Sequence, residues 1–174
     1  MKNLTTIMIL FLVIALMGFE INSLQTRQII TPVNYKLYVQ KEKEKEDKLV
    51  SMLLDLGASK ENVHKISSGI RLAEQVTGTK PKMTAAILAT ESEFVKTAKS
   101  PKGYKGLMQT PVATYYEEVD ILYGAMIFQE KLRNANGDTL RALALYKGGD
   151  NPAAWKEARK TMALYIKLKN SYQG

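Results

Sequence analysis

The chain of 174 residues is 45% hydrophobic and 24% charged, which excludes collagen-like repeats and end-to-end disorder and suits one compact domain plus a tail or anchor. With no cysteine and one histidine, His64, it has no disulfides, thiolate metal sites, cysteine nucleophiles or multi-histidine metal centre. A net charge of +8 points to a polyanionic partner or surroundings, and carboxylates are left as the residues best suited to carry an enzyme's chemistry.

Residues 3–19 contain no charge and residues 7–17 are continuously apolar, with Lys2 before the run and Glu20 after it. A basic start followed by an apolar core is the pattern of a secretory signal, and the uncharged length sits at the short edge of a bilayer span. Residues 1–23 are therefore expected to be a signal peptide or signal anchor, with Ile21-Asn22-Ser23 only a weak cleavage site. A buried helix of the fold is disfavoured because nothing polar interrupts the run to give it two faces. Export places the remaining chain in the periplasm or cell envelope, held at the inner membrane if the segment is retained, and argues against nucleic acid as a partner.

Residues 24–58 read as a linker and charged spacer helix. Tyr35, Leu37 and Val39 alternate with polar residues, as in a short strand or an extended linker carrying Pro32. Residues 41–48 alternate in charge sign and, at helical spacing, offer Glu-to-Lys pairs three residues apart. This run leads into the apolar residues 49–56 and stops at Gly57. A solvated spacer is the expected role; docking on the domain and standing off as a stalk both remain open.

From residue 59 to 174 the pattern is steadily helical. Ser59 is expected to cap a helix whose inward stripe is Val63, Ile66, Ile70, Leu72, Ala73 and Val76, ended by Gly78. A second helix starts near Thr84 and reaches Ser92. A loop rich in Gly, Lys and Pro follows at 99–106, then a helix from about 117 to 133 stopped by Asn134-Ala135-Asn136-Gly137. Asp138 or Thr139 caps a helix over 140–146 that ends at Gly148-Gly149, and one or two last helices follow Pro152, through Trp155 to Leu168. Strand signals are nearly absent beyond residue 60, so the fold class is all-α.

Glu91 stands out by placement, at the end of an apolar helix. Burial disfavours an ionised carboxylate, and a carboxylic acid still protonated near neutrality is what acid-catalysed glycosidic cleavage needs. Glu93 lies two positions on, which on a helix points it about 200° away, so the two share a site only if the helix has already ended. Taken alone, a lone buried glutamate is more often a salt-bridged structural residue than a catalyst.

Read as a unit, residues 91–109 resemble the soluble lytic transglycosylase (SLT) family of the lysozyme-like superfamily. Its pattern E-S-x-F-x-x-x-A-x-S-x-x-G-x-x-G-L-M-Q is matched without a gap by Glu91, Ser92, Phe94, Ala98, Ser100, Gly103, Gly106, Leu107, Met108 and Gln109. The likeness continues at Ala113-Thr114, at Asp120-Ile121 with Gly124, and over residues 142–149, and so covers about residues 60–168. It implies a lysozyme-like helical domain with a groove for peptidoglycan glycan strands, needing neither metal nor cofactor. Glu91 would be the single acid/base, protonating the oxygen between N-acetylmuramic acid and N-acetylglucosamine and then deprotonating the muramic 6-hydroxyl to close a 1,6-anhydro ring. Ser100 and Gln109 would hydrogen-bond sugar or the glutamate, Gly103 and Gly106 would let the loop approach the groove, and Met108 would line it. Tyr146 would reach the centre from the far wall.

Singly, each supporting residue has an ordinary structural reading, Leu107 and Met108 as core above all; their joint register with Glu91 reverses the preference. The sequence departs from the family where Asn of Y-N-A-G is Lys147, which puts a cation beside the expected site and either lowers the Glu91 pKa or meets an acidic peptide stem. Asp120 stands for the asparagine of N-I-x-x-G, and the proline after L-M-Q comes one residue early, at Pro111. His64 is expected at the surface without a role and Trp155 in the core. Lys156, Arg159, Lys160, Lys167 and Lys169 form a basic face, solvated or drawn to anionic polymer or lipid headgroups. The expected function is a peptidoglycan lytic transglycosylase acting on its own or beside envelope-spanning machinery. A hydrolytic muramidase, a non-catalytic glycan-binding scaffold and a basic nucleic-acid binder are the competing readings.

Overall fold

The computed structural model describes residues 32–112, 114 and 116–172. The expected signal or anchor at residues 1–23 lies outside the described residues, among which no helix is long and apolar enough to cross a membrane. The described chain is all-helical: α1 Pro32–Asp55, α2 Val63–Thr77, α3 Pro81–Glu91, α4 Glu117–Asn134, α5 Thr139–Lys147 and α6 Pro152–Ser171. Isolated bridges at Lys99–Lys105 and Lys105–Thr110 are the extent of β-pairing among the described residues.

The N-terminal expectation needs correcting. The stretch considered for a strand or linker is the first half of a continuous helix, with Pro32 as its first residue, where a missing N–H costs nothing. Tyr35, Leu37 and Val39 are all exposed. Alternation marks a strand only where one face is buried against something, and without such a face the helix-forming Lys/Glu run decides. The compact unit begins at Lys43, and within it the end of α1 is packed rather than solvated: Leu49, Met52 and Leu53 are buried in the core, and Glu46 pairs with Arg71 of α2 at 3.2 Å.

α2 opens at Asn62 after a turn in which Ser59 Oγ accepts the Asn62 N–H, and closes at Gly78 in the left-handed conformation. Its inward face is Val63, Ile66, Ile70 and Ala73 with Ser67 and Gly69. Leu72 is only half-buried, and Val76 is 59% exposed because the α-helical step rotates it off that face. α3 starts at Pro81, three residues earlier than the apolar run suggested, and Met83 to Leu88 are buried without interruption. A helix apolar on all sides belongs at the centre of a bundle. α2 packs on α3 and α4, α6 covers α3 and α5, and α5 lies against α4. Asp138 caps α5 by accepting the Arg141 N–H, Asn151 caps α6 by accepting the Ala154 N–H, and the segment after Pro152 is a single helix.

Candidate active site

The C-terminus of buried α3 delivers Glu91 to the edge of the core. Ser92 ends the helix, and Glu93 and Phe94 then take left-handed backbone conformations at φ 51° and 63°. Such residues each cost on the order of 1 kcal/mol, and burial of the Phe94 ring helps hold this turn. The helical 200° separation of Glu91 and Glu93 therefore does not apply; Glu93 is exposed and does not line the depression described next.

Glu91, Ser100, Pro101, Lys102, Tyr104, Gln109, Tyr146 and Lys147 line an open depression of about 260 Å³. Four of the six residues singled out from the sequence, Glu91, Ser100, Gln109 and Tyr146, are thus brought together. Gly106 and Met108 are not in its lining. Met108 is fully buried, and its carbonyl accepts the Tyr146 hydroxyl at 2.7 Å, so it positions the far wall from behind. Tyr146 also packs edge-on to Phe128 with ring centroids 6.3 Å apart. Burial first, and the charges of Glu91 and Asp120 second, push its hydroxyl well above the ordinary phenol value, so it remains a neutral donor.

The loop is braced from within. Ser100 Oγ accepts the Tyr104 N–H at 3.0 Å, and Gln109 Nε2 donates to the carbonyls of Ala98 and Gly106 at 3.1 and 2.8 Å. Asp120, from the first turn of α4, accepts the Leu107 N–H at 2.7 Å. Gly106 has φ +79°, and a Cβ there would lie 2.4 Å from Asp120 Oδ2, so glycine is required both by the backbone and by this carboxylate. A Cβ on Gly124 would lie 2.4 Å from that of Met108, so α4 needs glycine where the loop docks. The spacing from Asp120 to Gly124 is therefore a loop-docking device.

Lys147, the last residue of α5, places Nζ 2.9 Å from Glu91 Oε1, and the two side chains are only 5% and 15% exposed. The same ammonium donates to Thr90 Oγ1 at 3.0 Å, which is hydrogen-bonded to Thr161 of α6 at 2.7 Å. Burial pushes the Glu91 carboxyl above its ordinary value; Lys147 pulls it back, and Glu157 adds to the rise. Desolvation wins. Sequence reading placed Lys147 here but missed Thr90, Thr161 and Glu157. Thr161 lies 71 residues from Thr90, and no local pattern signals that contact.

His64 is exposed, and the five basic residues picked out on α6 are all exposed. Trp155 is partly buried against the core and donates Nε1–H to Asp150 at 2.6 Å. A larger open hollow of about 450 Å³ beside α1 and α2, lined by Glu46, Ser68, Arg71, Leu72 and Gln75, shares no residue with the Glu91 depression. Among the described residues no acidic or histidine cluster suited to a metal ion is present.

No curated protein and no solved structure matches the chain. The family model Transglycosylase SLT domain matches residues 68–120, which include Glu91 and the whole loop up to Asp120 but neither Tyr146 nor Lys147. That segment, which carries the glutamate and the loop it faces, is thus similar to the transglycosylase SLT domain.

Proposed function

We propose that the chain is an exported peptidoglycan lytic transglycosylase that cleaves the β-1,4 bond between N-acetylmuramic acid and N-acetylglucosamine. The observation that carries this reading is that Glu91 is, among the described residues, the sole carboxylate lining the depression, and burial raises its pKa. Glycoside hydrolysis in its usual form needs two carboxylates flanking the bond, the second to activate water or to attack the sugar. Transglycosylation needs one. The Glu91 carboxyl gives its proton to the bridging oxygen as the glycosidic bond breaks, while the muramic N-acetyl carbonyl stabilises the developing positive charge. The resulting carboxylate takes the proton of the 6-hydroxyl, whose oxygen bonds the anomeric carbon and closes the 1,6-anhydro ring. The proton count balances and no water is consumed.

Tyr146, fixed by the Met108 carbonyl, and the half-buried Ser100 and Gln109 supply polar atoms around the same depression. Export through residues 1–23, with or without retention at the membrane, would bring the domain to its polymer.

The test is mass spectrometry of products from purified peptidoglycan incubated with the full chain or with Glu91→Gln. Fragments ending in 1,6-anhydro-muramic acid are expected from the parent and reduced at least ~100-fold in the variant, the low end of general acid/base contributions. Glu91-dependent reducing ends would replace this reading with a hydrolytic muramidase. Binding of glycan without Glu91-dependent products would replace it with a scaffold.

A further inference from the structure

Lys147, which the sequence resemblance sets where the family has asparagine, has an ammonium tied in more tightly than that of a surface lysine. Its side chain is 5% exposed, it meets Glu91 Oε1 at 2.9 Å, and a second donor is fixed on Thr90 Oγ1 at 3.0 Å. Thr90 Oγ1 is itself held 3.0 Å from the Ala86 carbonyl and 2.7 Å from Thr161 Oγ1, so the hydroxyl that accepts from Lys147 is fixed in place. α3 thus supplies both partners of an ammonium carried by α5, and α6 backs one of them through Thr161. Glu91 ends α3 and Lys147 ends α5, so two helix C-termini, each a concentration of partial negative charge, converge where this cation sits. A buried cation so placed stabilises whichever form of its neighbour is anionic.

Resting on the transglycosylase reading, we propose that Lys147 is a positioning residue for Glu91: it fixes the orientation of the carboxylate and favours its ionised form, which supports the proton-accepting half of the reaction and restricts the proton-donating half to lower pH. The acid step requires Glu91 protonated, and ring closure requires it ionised. A neutral asparagine biases neither; an ammonium at 2.9 Å favours the second.

The other groups around Glu91 have fixed roles in this balance. Tyr146, beside Lys147 on α5, stays neutral. Glu157 on α6 is held anionic chiefly by its hydrogen bond from Lys160, and it opposes ionisation of Glu91. Lys102, in the loop, lines the same depression but is exposed, so water screens its charge.

The experiment follows Glu91 directly by ¹³C-carboxyl NMR titration of the full chain, and in parallel the pH profile of kcat on peptidoglycan at saturating substrate. The proteins compared are the parent, Lys147→Asn, Lys147→Gln and Lys147→Arg. The two neutral variants are expected to titrate Glu91 at higher pH than the parent and to move the alkaline limb of kcat upward, while Lys147→Arg keeps the parent profile. In the parent, the Lys147 ¹⁵Nζ signal is expected to shift with the same midpoint as the Glu91 carboxyl, a readout that survives if a variant fails to fold. Unchanged Glu91 midpoints in the neutral variants, or a Lys147 signal blind to Glu91 in the parent, would overturn the inference. A raised KM on peptide-bearing strands with an unmoved limb would also overturn it, in favour of a stem-peptide contact. A shifted midpoint in a protein that cleaves no glycan would uphold the pairing while removing the transglycosylase reading.

Discussion

Two buried carboxylates flank the loop, and they do different work. Glu91 faces the depression with a cation at its side, whereas Asp120 is turned inward and accepts the Leu107 N–H. Burial pushes the Asp120 carboxyl above its ordinary value even though the amides of Leu107, Met108 and Thr114 and the charge of Lys96 pull it down, and Oδ1 is left buried without a hydrogen-bond partner. A carboxyl that titrates higher in the folded state than in the unfolded one contributes stability that is complete below the unfolded pKa. That contribution is lost as pH rises through the folded pKa. Asp120→Asn has nothing to titrate and keeps an acceptor for Leu107. Its stability relative to the parent is therefore expected to improve as pH rises through the carboxylate range, since the shifted Glu91 is common to both proteins. Urea melts from about pH 3 to pH 8 check this; a stability gap independent of pH would show that Asp120 contributes no such linkage.

Between helices the decisive parts are the caps that place α5 and α6 around the Glu91–Lys147 pair. Asn151 accepts the Ala154 N–H at 3.0 Å and donates Nδ2–H to the Gly148 carbonyl at 3.1 Å, so one side chain starts α6 and ties it to the end of α5 one residue past Lys147. Asn151→Ala is expected to cost about 1 kcal/mol, the usual loss for a capping residue, with Asn151→Asp intermediate because it keeps the cap and loses the Gly148 bond. Denaturant midpoints at unchanged m-value measure both effects. The Asp138 cap of α5 was legible in the chain, because a short polar side chain ahead of an apolar helical run acts over three residues; the Asn151 cap was not singled out there. The start of α3 was not: Pro81 and Lys82 precede the buried run, and a helix's first turn needs no apolar residue.

Across the molecule, α1 changes character along its length. Leu53 has no exposed surface and belongs to the core, whereas Leu37 is 51% exposed. Leu53→Ala is expected to cost about 2–5 kcal/mol through lost burial and the cavity left behind, and Leu37→Ala less than about 0.5 kcal/mol. Thermal melts of the two variants test whether the end of α1 belongs to the compact unit; equal, small effects would show that it does not.

The sequence by itself determined the all-helical class, most helix ends, the unbroken register from Glu91 to Gln109 and the placement of a carboxylate at the end of an apolar helix. All of these rest on forces that act within one or two helical turns: periodic burial, capping and the φ preference of glycine. Only the tertiary structure decided that the Lys147 ammonium touches Glu91, that Thr161 backs Thr90, that Met108 lies behind the wall rather than in it, and that Asp120 clamps the loop. It also decided that the end of α1 packs against the core instead of standing in solvent. These contacts join residues far apart in the chain, and their strength comes from the exclusion of water where helices meet, a condition that no single segment creates alone.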